Sequence, residues 1–194
     1  AVAFFKGFVR EDADDPRVRL QTARTFQHLG ELHWKLGEPA AAQASLDRAR
    51  TLLLALAPAD GAWSAIRLDL VEVENLRGQL LAEQSGEEEA LAVYESAMAL
   101  AVGNAAELPE DPRARAGFAN TSHLLGGSLS HLGRWQRADE VLRAAAARQE
   151  ALVAGSGTDD TTRLELARIY AELGGLEGEQ RGRLPESEAA MKKA

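Results

Sequence analysis

Small and large apolar residues return at one fixed interval along this chain. Gly30, Gly78, Gly126 and Gly174 stand 48 residues apart. Twelve residues after the first three come Ala42, Ala90 and Ala138, four further on Leu46, Tyr94 and Leu142, and three beyond those Ala49, Ala97 and Ala145. Side-chain size matched in four columns over three units marks an internal repeat. The columns have a physical cause. A small residue in a first helix and small residues in a second let two antiparallel helices approach closely, while Phe26, Leu29, Leu46 and Leu142 fill the space around them.

Turn signals fall between the halves of a unit, at Leu36-Gly37-Glu38-Pro39, Ser85-Gly86 and Leu132-Gly133-Arg134-Trp135. Longer breaks separate the units, at Pro58-Ala59-Asp60-Gly61, Leu108-Pro109-Glu110-Asp111-Pro112 and Gly155-Ser156-Gly157-Thr158-Asp159-Asp160. Their Asp and Thr residues are expected helix N-caps. The expected organisation is all-α: an N-terminal capping segment over 1–16, repeats over 17–58, 59–108 and 109–156, and a partial fourth over 157–194. Within the capping segment, Phe4, Phe5, Phe8 and Val9 are expected to pack on the open end of repeat one. In the fourth unit, Gly182-Arg183-Leu184-Pro185-Glu186-Ser187 is expected to start the second helix after a one-residue insertion.

Phe26-x2-Leu29-Gly30-x2-His33, followed by Ala42-x3-Leu46-x2-Ala49, resembles the tetratricopeptide consensus. Leu125-Gly126, Gly133, Trp135, Ala138, Leu142 and Ala145 repeat it, whereas Arg77 replaces the leucine before Gly78 in the second unit. The family's usual period is about 34 residues, and the longer unit here lengthens each helix by about two turns. Units of this length are similar to those of kinesin light chains and of the C-terminal arrays of some bacterial Ser/Thr protein kinases. The phrase Asp15-Pro16-Arg17-Val18-Arg19-Leu20-Gln21-Thr22-Ala23-Arg24 strengthens the second likeness. Those kinases carry their catalytic domain upstream, and none of its motifs occurs here.

The resemblance implies a right-handed α-α superhelix of about three and a half long hairpins, a tetratricopeptide-like solenoid. It also implies a non-enzymatic protein- or peptide-binding scaffold, part of a larger signalling protein, whose concave groove is lined by the first helices. The family's groove positions fall on Arg24, Gln27, Glu31, Trp34 and Lys35, then Glu72, Asn75, Gln79 and Glu83, then Asn120, His123, Ser130 and His131, with Arg168 opening the fourth unit. The amides Gln27, Asn75 and Asn120 suit hydrogen bonding to an extended peptide backbone, and Trp34 suits an aromatic anchor. The clamp that captures a C-terminal carboxylate in some relatives needs Lys and Asn where this chain has Gln27 and Glu31, so that ligand is not expected. An alternative role is self-association that oligomerises the parent protein.

Composition narrows the field further. Hydrophobic residues make up 45% and aromatics only 5%, which suits close-packed helices rather than sheets. The absence of cysteine excludes disulfides and thiol chemistry and is compatible with the cytoplasm. A net charge of -8 argues against nucleic acid and anionic membrane surfaces as partners. No apolar run reaches the ~20 residues of a membrane span. The start, Ala1-Val2-Ala3-Phe4-Phe5-Lys6, has neither an initiator Met nor a signal-peptide layout and reads as the middle of a longer protein.

Candidate chemistry is sparse. His28 and His33 lie five apart and leave one helical face; His33 takes the Tyr-like packing position. His123 and His131 share a helix side but lack further metal ligands. The acidic groups Asp12-Asp14-Asp15, Glu87-Glu88-Glu89 and Asp159-Asp160 sit at expected helix starts, where they complement the dipole. Asn120-Thr121-Ser122 matches a glycosylation sequon but falls within an expected helix, and Gly126-Gly127-Ser128 lacks the spacing of a phosphate loop. No catalytic residue, metal site or cofactor is expected.

Overall fold

The computed structural model describes residues 15–56, 63–154 and 160–191. Among them every element is helical: α1 (Pro16–Lys35), α2 (Pro39–Leu56), α3 (Trp63–Gln84), α4 (Glu87–Glu107), α5 (Pro112–His131), α6 (Trp135–Ala154) and α7 (Asp160–Met191). The expected capping helix around Phe4, Phe5, Phe8 and Val9 lies outside the described residues, as do most of the first and third inter-unit breaks. The chain forms two compact units, 1–121 and 122–194, each described by itself.

In the first unit, α1 pairs with α2, α3 with α4, and α2 packs on α3, the arrangement of an α-α solenoid. The caps follow the sequence. Asp15 accepts a hydrogen bond from Arg17 N at 2.8 Å, with Pro16 in the first turn, and Asp111 accepts from Arg113 N at 2.7 Å. Each hairpin turn uses a glycine in the left-handed region: Gly37 (φ 72°), Gly86 (φ 109°) and Gly133 (φ 71°). Behind them the last helical carbonyls are satisfied, as by Glu38 N on His33 O at 2.9 Å.

The periodic glycines are helix seats. A Cβ on Gly30 would stand 2.6 Å from Leu46 Cγ, one on Gly126 2.5 Å from Leu142 Cδ2, and one on Gly78 would overlap the Tyr94 ring. The columns read from the sequence are therefore direct contacts between the helices of a pair. Ala23, Ala49, Leu53, Leu56, Ile66, Leu70 and Val73 fill the core between the first two pairs.

The fourth member of the glycine column behaves differently. A Cβ on Gly174 would meet nothing within 4 Å. Its helix, α7, runs unbroken for 32 residues, so the second helix expected to start at 182–187 is absent. Gly182 and Pro185 keep the helical backbone where the other three hairpins turn through a glycine at positive φ.

Tyr94, seated on Gly78, is buried, and burial pushes its hydroxyl well above the usual tyrosine range, with Glu87 and Glu83 adding to the effect. A raised folded-state value means that stability is fully present below the unfolded value near pH ~10 and is lost as pH rises above it. Thermal melts between about pH 9 and 11 should therefore fall more steeply for the wild type than for Tyr94→Phe, which keeps the ring and removes the titration. Parallel curves would show that the hydroxyl is not the group responsible.

Candidate functional site

The sequence places ligand positions on the first helices, and in the first unit α1, α3 and the start of α5 are joined by a polar ladder. Arg24 Nε donates to Asp69 Oδ2 at 2.9 Å, and Arg113 Nη2 donates to Asp69 Oδ1 at 2.5 Å. Gln27 Nε2 donates to Glu72 Oε2 at 3.0 Å, while Arg113 Nη2 reaches Glu72 Oε1 at 2.7 Å. Asn75 Nδ2 donates to Thr121 Oγ1 at 2.9 Å. Nearer the hairpin turns, Trp34 Nε1 donates to Glu83 Oε2 at 2.7 Å.

Asp69 explains the strength of this ladder. Its side chain is only 2% exposed, and a carboxylate so deeply placed requires compensation, which the two guanidiniums supply from opposite sides. With Glu72 the group holds two positive and two negative charges. Arg24 and Arg113 are partly exposed, so each keeps an outer edge in water while its inner edge is fixed.

The ladder engages two of the expected ligand positions. Gln27 and Asn75 are 6% and 3% exposed and hydrogen-bonded to the neighbouring first helix, so they hold successive pairs together. Both remain on the first-helix row, but the next helix arrives where a ligand was expected. Trp34 is half-buried and packs beside Ala42, Leu46 and Leu80, so its ring is mainly core. Glu31, Gln79 and Asn120 are partly exposed and Lys35 and Glu83 exposed. Gln79 lends its amide to the Asn75 carbonyl at 3.3 Å.

In the second unit, His123 Nδ1 is buried without a hydrogen-bond partner and stands 3.6 Å from Glu172 Oε1, while His131 is exposed at the end of α5. Ser130 is partly exposed there, and Arg168, on α7, is exposed and 3.5 Å from Glu165 Oε1. Among the described residues no group of His, Cys, Asp or Glu is placed to hold a metal ion. His33 is buried, with Nδ1 2.5 Å from Glu38 Oε2, in keeping with the packing role expected of it.

Two polar groups were not anticipated. The first explains the Arg77 departure: Arg77 Nη1 and Arg50 Nε both reach buried Glu74 at 2.5 Å, and Arg77 Nε donates to Asp47 at 2.8 Å. The misfit in one column is thus half of a charge network between α2 and α3. The second is an arginine column on the same 48-residue interval, at Arg19, Arg67, Arg115 and Arg163. Arg67 clasps Glu107 at the end of α4 with both Nη atoms and lies under the Trp63 ring. Arg115 donates to Pro109 O at 2.8 Å and pairs with Glu110, pinning the break before α5. The signal was available in the repeat itself.

No family model matches the chain, and no curated protein matches it. Among solved structures the chain is similar to the apo form of RapI, with a TM-score of 0.60 and 14% identity, covering 98% of this chain and 64% of that one. This chain therefore spans somewhat less than two thirds of RapI, and likeness at this identity is a likeness of fold.

Proposed function

We propose that the chain is a non-enzymatic scaffold that binds a protein segment, an extended peptide, along the first-helix row of α1, α3 and α5. The observation that carries this reading is the ladder itself. Arg24–Asp69–Arg113 and Gln27–Glu72–Arg113 cross three first helices and hold their polar side chains in fixed positions before any ligand arrives. Such preorganisation lowers the ordering cost of association. The partly open groups on that row, Asn120, Glu31 and the outer edges of Arg24 and Arg113, offer both donors and acceptors to a peptide backbone. No helix among the described residues is long and apolar enough to cross a membrane. The setting that fits the resemblance to long-repeat arrays is recruitment within a larger signalling protein of the cytoplasm.

The test is selection of binders from a displayed library of unstructured peptides, followed by affinity measurement on variants. Asn120→Ala and Glu31→Ala should each weaken the selected peptides about tenfold. Leu54→Ala, on exposed α2 surface, should leave them unchanged. Peptides indifferent to both row variants would place binding elsewhere and overturn the proposal.

A further inference from the structure

The outward face of α7 carries an unmatched pair of shapes. Leu164, Ala167, Ala171, Gly174 and Gly178 are spaced three and four apart, the period of a helix–helix seam, and fall within an arc of about 80°. All five are exposed, Leu164 at 53%, and among the described residues neither Gly174 nor Gly178 has an atom from outside its own helix backbone within 4 Å of where a Cβ would stand. The opposite side of the same helix is buried through Ile169, Leu173 and Leu176. In the earlier first helices the counterparts of Ala167 are Ala23, Val71 and Ala119, and those of Gly174 are Gly30, Gly78 and Gly126; all six are buried.

The molecule shows three times what covers such a face. Gly30 receives Leu46, Gly78 receives Tyr94 and Gly126 receives Leu142, each on an antiparallel helix, and each large residue is followed three positions later by a small one, Ala49, Ala97 or Ala145. That second-helix pattern, large-x2-small, occurs on the open face of α7 itself as Leu164-x2-Ala167. The helix therefore carries both halves of the hairpin motif on one side, the knob ten residues before the seat.

We propose that a second copy of this chain covers the face, α7 against α7 in antiparallel orientation about a two-fold axis near position 169. In that register Leu164 of each copy sits on Gly174 of the other, and Ala167 faces Ala171. The arrangement is isologous, as closed dimers require, because one surface supplies knob and seat together. Pairing from 160 to 178 gives an overlap as long as α2, which has 18 residues. Between Leu164 and Gly178 no charged side chain stands in the seam, so association there hides apolar surface without stranding a charge, and the fully exposed Asp160, one turn before Leu164 on the same face, stands at its rim. This dimer is independent of the peptide-binding row.

The experiment is sedimentation equilibrium over a wide concentration range, with circular dichroism to confirm that each variant is folded. The wild type should dimerise. Leu164→Gly, which empties the knob, and Gly174→Leu, which fills the seat, should each raise the dissociation constant about a hundredfold, since the loss counts at two symmetric contacts. Combining them exchanges knob and seat and should restore the dimer. As the chain has no cysteine, mixing Ala167→Cys with Ala171→Cys chains should give mainly the mixed disulfide on oxidation. A wild type that stays monomeric, or a dimer untouched by both single variants, would overturn the proposal. A monomer that Gly174→Leu destabilises would overturn it as well, by showing that the chain covers its own seat.

Discussion

Gly78→Ala is expected to destabilise the protein by about 2–3 kcal/mol in urea denaturation, the largest effect of any alanine in the glycine column. The added methyl would overlap Cε1, Cδ1 and Cζ of Tyr94, and an aromatic ring cannot fold out of the way as a leucine end can. Tyr94 is 2% exposed and so has nowhere to move. Gly30→Ala and Gly126→Ala press on Leu46 and Leu142, whose terminal methyls can change rotamer, so about 1–2 kcal/mol is expected there. In the single chain, at concentrations below any self-association, Gly174→Ala has open space and should stabilise α7 by up to ~1 kcal/mol through helix propensity alone. The same substitution at four equivalent positions thus separates the column into tight, adjustable and empty seats. Equal gains at all four would mean that helix propensity, not helix approach, sets the outcome.

This contrast also locates what the sequence could disclose. A period of 48 residues with matched small and large positions was enough for the helix pairs, because close packing leaves few alternatives for a glycine facing a leucine. The turns were legible for a similar reason: Gly37, Gly86 and Gly133 occupy backbone conformations that other residues avoid. Which side of a first helix meets the next first helix was harder. Gln27 and Asn75 occupy ligand-facing positions by motif number, yet the neighbouring helix reaches them first. The pairing residues lie 41 to 49 apart, near the repeat period, so Arg24, Asp69 and Arg113 were a readable row of alternating charge. Arg113 escaped notice because it stands nearly two turns before the motif begins. The fourth hairpin failed for another reason: a sequence can favour a turn at Gly182 and Pro185 while the backbone there remains helical.

Glu74 tests how the second pair is fitted to the first. Its position corresponds to Phe26 in the first unit, and Arg77 corresponds to Leu29, so one helical turn has exchanged two apolar residues for an ion pair. Glu74 is 4% exposed in its side chain, with Arg77 Nη1 and Arg50 Nε each 2.5 Å from it. Glu74→Ala would leave the Arg77 guanidinium, itself only 20% exposed, without its buried partner, at a cost of about 3–5 kcal/mol. Restoring the apolar pair with Glu74→Phe and Arg77→Leu together should recover that loss and leave a protein at least as stable as the wild type, because well-packed apolar residues often match or exceed a buried ion pair. Asp47 and Arg50 are each more than two-fifths exposed and can return to water when their partners go. Urea denaturation of the single and double variants checks this. If the double variant is instead less stable than Glu74→Ala, the network contributes attraction that packing cannot replace. The recovered outcome would show that the network holds the α2–α3 junction no more tightly than an apolar pair does, because Asp47 and Arg50 lose nothing by returning to water.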